Sequence, residues 1–548
     1  MRNHSKVIVI GLDGADWRLL EPWIQDKKLP TLAKLVSEGV TGKLRSTIRP
    51  ESSVAWSSFS TGVNPGKHGV FGFMEQVEGG YSFQLANGSS VRARRFWEII
   101  SDYGLKVGLL NIPFTYPPAP VNGFMVTGML TPGPDVTFTY PHELGQLLLA
   151  RFGKYAFDVD DSTQDETTLV KKVLDLTYQQ QETALFLLQE ESWDLFTIVF
   201  IGPDRLQHFL WAHTDPHHPF HNAEQAHRFD SALLEHYQLL DEAIAKILTG
   251  LPDDILVLLI SDHGFNGCAK RFYVNHWLYE QGWLKLKESG NWRLGLAEAL
   301  SHLRSIQWLR RLKHTFFPDD WSSTALHSSG FAHTIDWENT KAYFGLDGGL
   351  RLNLYGRSPK GIVRQEEAES LRQELYKALL AIEDPKTGRP VLSHVFSSEE
   401  LYHGPFVSMS PDLILEPQRD NLNPIHNFVL DSSLLTDGAS CFGSSAPYTA
   451  NHSLDGIFVG WGASVTRGHK IKDAHIIDVA PTVLAALGIP VPNYMDGRML
   501  SEIFSPDSVP VLHRTNSKQC TRDVSEKLLN SEEELVVEKR LRNLGYLE

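Results

Sequence analysis

Cysteine is nearly absent: three in 548 residues. That excludes a disulfide framework and a thiolate zinc module. Long apolar runs are absent too. The strongest, DILVLLISDHG, falls well short of the roughly 20 residues needed to span a bilayer, so no transmembrane segment is expected. Basic residues are in deficit, 51 against 66 acidic, for a net charge of -15. A surface of that sign does not grip a nucleic-acid polymer. Apolar residues at 42% and charged residues at 21% exclude a disordered or fibrous chain. The N-terminal run VIVIG in MRNHSKVIVIGLDG is short and leads to an aspartate, not a cleavage site, and reads as a first β-strand. With so few cysteines, a cytoplasmic location is expected. What the chain has in quantity is histidine, 23 residues. Any metal it holds must be bound through nitrogen and oxygen.

Short β-branched runs end in polar or glycine clusters: VIVIGLDG near residue 10, KVGLLNIP near 110, LFTIVFIGPD near 200 and ILVLLISDHG near 260. Helix-period segments separate them. In 164–190, Leu169, Val173, Leu176 and Leu187 recur among polar residues, and in 227–248 Leu233, Tyr237, Leu240, Ile244 and Ile247 do so. Strands buried on both faces and alternating with amphipathic helices indicate an α/β protein with a mostly parallel sheet. After Phe265 the rhythm changes. Antiparallel strands around a helix at 364–382 predict an inserted cap over 266–440. The α/β pattern returns over 441–505, so the catalytic core is discontinuous, 1–265 plus 441–505. Residues 506–548 are expected to form a helical tail.

In such sheets ligands sit beyond the carboxyl ends of strands. The polar residues ending the strong strands are Asp13, Asp204, and Asp262 with His263, and His208 follows Asp204 at helical i+4 spacing. Carboxylates and imidazoles without thiolates suit zinc or manganese. Each taken singly also fits a helix cap or a turn. In RPESSVAWSSFSTGVNPGKHG, a loop runs into a helix N-terminus, where free N–H groups and the dipole favour an anion. Ser52 or Ser53 there is either a nucleophile for a phosphoryl centre or a plain N-cap.

The order of motifs resembles the alkaline phosphatase superfamily, most closely its type I phosphodiesterase/nucleotide pyrophosphatase family. The pieces are GLDGADW at 11–17, SVAWSSFSTGVNPGKHG at 53–69, FWEII with NIPFTYPP at 96–118, PDRLQH at 203–208, SDHGF at 261–265 and NHSLDGIFVGWG at 451–462. The resemblance implies a three-layer α/β/α sandwich with an inserted cap, and two divalent metal ions, usually zinc with manganese an option. It implies that Asp13, Asp262 and His263 hold one ion, which also contacts the nucleophile, and that Asp204, His208 and His452 hold the other. Counting back nine residues from Thr61 makes the nucleophile Ser52. The implied reaction is in-line attack by Ser52 on a small phosphorylated substrate, through a phosphoseryl intermediate. One departure is plain: an Asn that relatives carry after the HG dipeptide is Phe73 here, so a second donor to the phosphoryl group must come from elsewhere. A sulfatase would need C/S-x-P-x-R, which the Ser52 segment lacks. The alternatives are a phosphomonoesterase, a phosphotransfer mutase, or a non-catalytic protein that binds a phosphorylated ligand. Leaving group and oligomeric state are not indicated.

Two further segments stand out. HFLWAHTDPHHPFHNAEQAH contains His208, His213, His217, His218, His221 and His227 and reads as a solvated loop over the site mouth rather than a second metal cluster. Residues 303–316 form a basic amphipathic pattern, expected to pack its apolar stripe on the core rather than lie on a membrane.

Overall fold

A computed structural model of the chain describes residues 6–159, 165–229, 231–252, 254–287, 332–421, 423–435, 438–516, 520–522, 529–544 and 546. The strands that organise the site are β1 (Val7–Leu12), β2 (Val40–Arg45), β3 (Val107–Ile112), β4 (Gly123–Thr127), β5 (Thr139–Tyr140), β6 (Leu195–Phe200), β7 (Leu256–Ile260), β8 (Gly264–Gly267), β9 (Ala450–Ser453) and β10 (Asp455–Trp461). The helices used below are α1 (Ser52–Thr61), α2 (Glu166–Glu190), α3 (Gly202–Thr214), α4 (Ala232–Leu248) and α5 (Ser531–Asn543).

The central sheet has ten strands in the order His469–Lys470, β2, β10, β7, β1, β6, β3, β4, β5, with Ala474–His475 also on β2. Its middle is parallel: β1 pairs with β6 and β7, and β3 with β6 and β4. β10 runs antiparallel between β2 and β7. The pleat of β1 explains its unbroken apolar run. Val7 and Val9 enter one core with Trp56, Phe59 and Val173, while Ile8, Ile10 and Leu12 enter another with Leu32, Tyr237 and Ile244. Helices cover both faces, giving a three-layer α/β/α sandwich.

A third core lies under a four-stranded antiparallel sheet, Ala342–Phe344, Leu350–Leu352, Leu413–Pro417 and Leu392–Ser397 in that order. The helix Gln365–Leu380 closes it with Leu371, Leu375 and Leu379. Val537 and Leu541 of α5 are buried in the same core.

Three expectations are corrected. The helical stretch 227–248 is broken, with a short helix at Ala223–Phe229 ahead of α4. The 506–548 tail is not helical throughout: Arg514–Thr515 pairs as a strand with Val491–Pro492, and the α-helix among its described residues is α5. The histidine loop is not solvated throughout. The His213 ring stacks on Phe229 and its Nε2 lies 3.2 Å from Glu166, and buried His218 donates to the carbonyls of Thr449 and Cys268. The basic segment 303–316 lies outside the described residues. Among those described, no helix is long and apolar enough to cross a membrane.

Candidate active site

β7, β1 and β6 are neighbours, so the residues that follow them meet at one end of the sheet. Asp13 follows β1, Asp262 and His263 follow β7, and Asp204 lies in the first turn of α3 after β6. His208 sits one turn further along α3. β8 and β9 pair antiparallel with Phe265 opposite His452, which brings the His452 ring within 3.8 Å of the His263 ring, centroid to centroid. Ser52 opens α1. All seven side chains are buried.

Ser52 Oγ lies 3.3 Å from Asp13 Oδ1 and 3.3 Å from His263 Nε2. His263 Nε2 is 3.4 Å from Asp262 Oδ2, 3.6 Å from Asp13 Oδ1 and 3.9 Å from Asp204 Oδ1. Asp204 Oδ1 is 3.2 Å from His452 Nε2 and 3.5 Å from His208 Nε2. Two compact donor groups result, Asp204–His208–His452 and Asp13–Asp204–His263. Asp204 thus belongs to both groups, and Asp262 stands beside the second.

Neighbouring atoms orient every donor. His208 Nδ1 donates to Ala450 O at 3.1 Å, His452 Nδ1 to Pro50 O at 2.7 Å and His263 Nδ1 to Gly264 O at 3.1 Å. A carbonyl only accepts, so each Nδ1 carries a hydrogen and each Nε2 faces inward. His208 Nε2 and His452 Nε2 face one another at 3.1 Å, a repulsive pairing for neutral rings that a shared cation satisfies. The carboxylates repeat the pattern. Trp56 Nε1 donates to Asp13 Oδ2 at 2.8 Å, Gly14 N to Asp262 Oδ1 at 3.2 Å and Arg205 Nη1 to Asp204 Oδ2 at 2.5 Å. Asp158 in turn holds Arg205 through two bonds of 2.8 and 2.9 Å. The other oxygens, Asp204 Oδ1 and Asp262 Oδ2, are buried with no hydrogen-bond partner. Gly11 makes the Trp56 contact feasible: a Cβ there would stand 2.5 Å from the indole ring.

The electrostatics agree. Burial, then the charge of Asp204, pushes the Asp13 carboxyl up to about 7. Burial and Asp13 push Asp262 well above the usual range. Burial also acts on Asp204, but His208, His452 and Arg205 outweigh it and hold that carboxyl well below its ordinary value. Burial keeps His263 and His452 neutral. Neutral imidazoles and clustered carboxylates with inward, unbonded oxygens fit divalent cations.

The family described as type I phosphodiesterase / nucleotide pyrophosphatase matches residues 7–420. The chain belongs to that family. A 2,3-bisphosphoglycerate-independent phosphoglycerate mutase of Clostridium beijerinckii is 41% identical over 59 residues, 11% of this chain and 11% of the mutase. The chain thus matches about a tenth of that curated relative's length. Among solved structures, phosphonoacetate hydrolase from Sinorhizobium meliloti 1021 superposes with a TM-score of 0.53 at 14% identity, covering 88% of this chain and 96% of the hydrolase. That likeness shows the fold. Human ectonucleotide pyrophosphatase / phosphodiesterase 5 gives 0.43 at 13% identity over 89% of this chain and 96% of its own.

In this family member a cavity of about 160 Å³ opens against His208 and His452, with Arg49, Phe73, Phe428 and Tyr546 among its walls. Phe73 packs on Phe114 and Tyr546 at ring separations of 6.0 and 4.9 Å, and presents no donor. Sequence reasoning brought forward all seven residues that meet here, but missed Trp56, Arg205, Asp158 and Tyr546. Trp56 had a signal in its i+4 spacing from Ser52, which puts both on one helix face. Tyr546 had none. A third donor group is His276–Glu280–Cys441, in which His276 Nε2 is already committed to Ala439 O at 3.0 Å. The Cys441 thiol donates to Glu280 at 2.8 Å, and burial pushes that thiol up to about 12.

Proposed function

We propose that the chain is a two-metal phosphohydrolase of the phosphodiesterase/nucleotide pyrophosphatase type, with Ser52 as nucleophile and small phosphorylated substrates. The observation that carries this is the Ser52 hydroxyl at the start of α1, 3.3 Å from both Asp13 and His263. Family membership supports the reaction class. Divalent cations, zinc or manganese, held by Asp13, Asp262 and His263 and by Asp204, His208 and His452 would lower the hydroxyl pKa and neutralise charge on the leaving oxygen.

The chain's own residues supply the rest. Asp13 Oδ1 accepts from the Ser52 hydroxyl and aims Oγ. The first N–H groups of α1 have no carbonyl one turn back and face an incoming phosphoryl group. Oγ bonds to phosphorus as the bond to the leaving oxygen breaks, giving phosphoserine. Water then opens that ester and restores the hydroxyl, with net retention at phosphorus. Arg205, anchored by its two bonds to Asp158, restrains Asp204 through one donor during the cycle. The insertion 266–440 contributes Phe344, Leu415 and Phe428 to the cavity, and we read it as the part that selects the leaving group.

The test is a panel of a nitrophenyl phosphomonoester, a diester and a nucleotide pyrophosphate, with zinc or manganese added back to stripped protein. Ser52→Ala should lower kcat by about a thousandfold or more while still binding two metals. Full activity in that variant would overturn the assignment of the nucleophile. Two bound metals without turnover on any substrate would instead indicate a binding protein.

A further inference from the structure

The C-terminal segment reaches the site from the far end of the sequence. Asn530 caps α5 by accepting from the N–H groups of Glu532 and Glu533. Arg540 donates to the carbonyls of Thr131 and Pro132 at 2.9 and 3.0 Å, and Glu534 accepts from Leu85 N at 3.0 Å. These contacts fix where the chain goes next. Tyr546 N donates to Leu541 O at 2.9 Å, which turns the segment back so that the Tyr546 ring enters the cavity wall. The ring centroid lies 4.9 Å from Phe73, 5.5 Å from His208 and 5.7 Å from His452. The Arg205 guanidinium sits 5.1 Å from it. The hydroxyl accepts from Arg205 Nη1 at 2.5 Å and donates to Asp204 Oδ2.

Asp204 Oδ2 therefore receives two donors, Arg205 and Tyr546, while Oδ1 receives none and faces the two imidazoles. A carboxylate held by a single donor can rotate about its Cβ–Cγ bond. Two donors that converge on the same oxygen lock the plane of the group, which is how outer residues raise the affinity of a ligand. Arg205 alone cannot do this fully, because its Nη1 is shared between Asp204 and Tyr546 and its remaining nitrogens serve Asp158.

We propose that the C-terminal segment is an integral wall of the active site, with Tyr546 a positioning residue that orients Asp204 toward His208 and His452. The inference rests on the two-metal reading above and extends it to a residue 342 positions from its partner. It also gives Phe73 a use, since the Phe73 ring supports the Tyr546 ring.

The test uses full-length Tyr546→Phe and Tyr546→Ala, each stripped with chelator. Zinc affinity is measured by competition, and kcat, KM and thermal midpoint on the zinc-loaded protein. Tyr546→Phe keeps the ring and should keep the midpoint. It should weaken one of two zinc sites by about 10- to 100-fold and lower kcat with little change in KM. Tyr546→Ala should add a rise in KM, because the cavity loses a wall. A role confined to ring packing would leave zinc affinity and kcat of Tyr546→Phe at wild-type values, and that result overturns the proposal. Faster turnover in Tyr546→Ala overturns it as well, because it would make the segment a plug. Wild-type protein that binds no zinc would instead overturn the two-metal reading, and the proposal with it.

Discussion

Asp13 has one oxygen turned toward Ser52 and the other held by Trp56 Nε1 at 2.8 Å. The indole therefore decides which oxygen is free for chemistry. In Trp56→Phe the ring packing against Phe59 is largely kept, but Oδ2 becomes a buried acceptor without a donor. The expected cost is about 1–3 kcal/mol of stability, with zinc affinity at the Asp13 side weakened at least about 10-fold. Urea denaturation and chelator competition measure the two effects, and unchanged zinc affinity would refute the orienting role. At this scale legibility followed chemistry. Asp13, Asp262 and His263 stood out as polar residues closing apolar strands, and His208 through helical spacing from Asp204. An isolated His in a loop carries no local sign, so His452 emerged only through the resemblance. Arg205 carried no sign in the sequence because its role depends on which oxygen it faces.

The loop ahead of α1 and the four-stranded antiparallel sheet are joined by Arg49. Arg49, at φ 61°, donates to the carbonyl of Asp347 and to Glu51, and so ties the turn at Gly345–Gly349 to the residue before Ser52. Gly348 lies in that turn at φ +67°, and a Cβ there would stand 1.9 Å from the Arg49 guanidinium. Gly348→Ala should therefore cost about 1–2 kcal/mol, part from backbone strain and part from displacing Arg49. In an Arg49→Ala background the second part vanishes, so the double-mutant cycle should give a coupling above about 0.5 kcal/mol. Additive effects would mean that the turn and Arg49 are independent. The parallel strands were legible because strands buried on both faces leave unbroken apolar runs. The junction was not, because its geometry belongs to a turn and a loop separated by about three hundred residues of chain.

Across the whole molecule the acidic excess, -15, has a concentrated interior counterpart in three buried carboxylates, Asp13, Asp204 and Asp262. The fold tolerates them in metal-free form by pushing Asp262 well above the usual carboxylate range and by keeping a proton on Asp13, raised from 3.8 to about 7. Between those two values the folded metal-free protein holds a proton that the unfolded chain has released. This group's contribution to stability is therefore present below about pH 4 and lost as pH rises toward 7. Its slope is at most about 1.4 kcal/mol per pH unit. On the two-metal reading a cation replaces that proton, so zinc affinity should rise with pH by up to about tenfold per unit below 7, and Asp262, also pushed up, adds to the rise. At one fixed zinc concentration, set to about 100 times Kd at pH 5.5, binding adds about 2.7 kcal/mol per site there and more as Kd falls. The stability gap between zinc-loaded and stripped protein should accordingly widen from pH 5.5 to pH 8. The buried histidines away from the site are common to both forms and cancel in that difference. Urea denaturation of the two forms at each pH measures the gap. A gap that stays constant or narrows would mean that Asp13 does not exchange its proton for a cation.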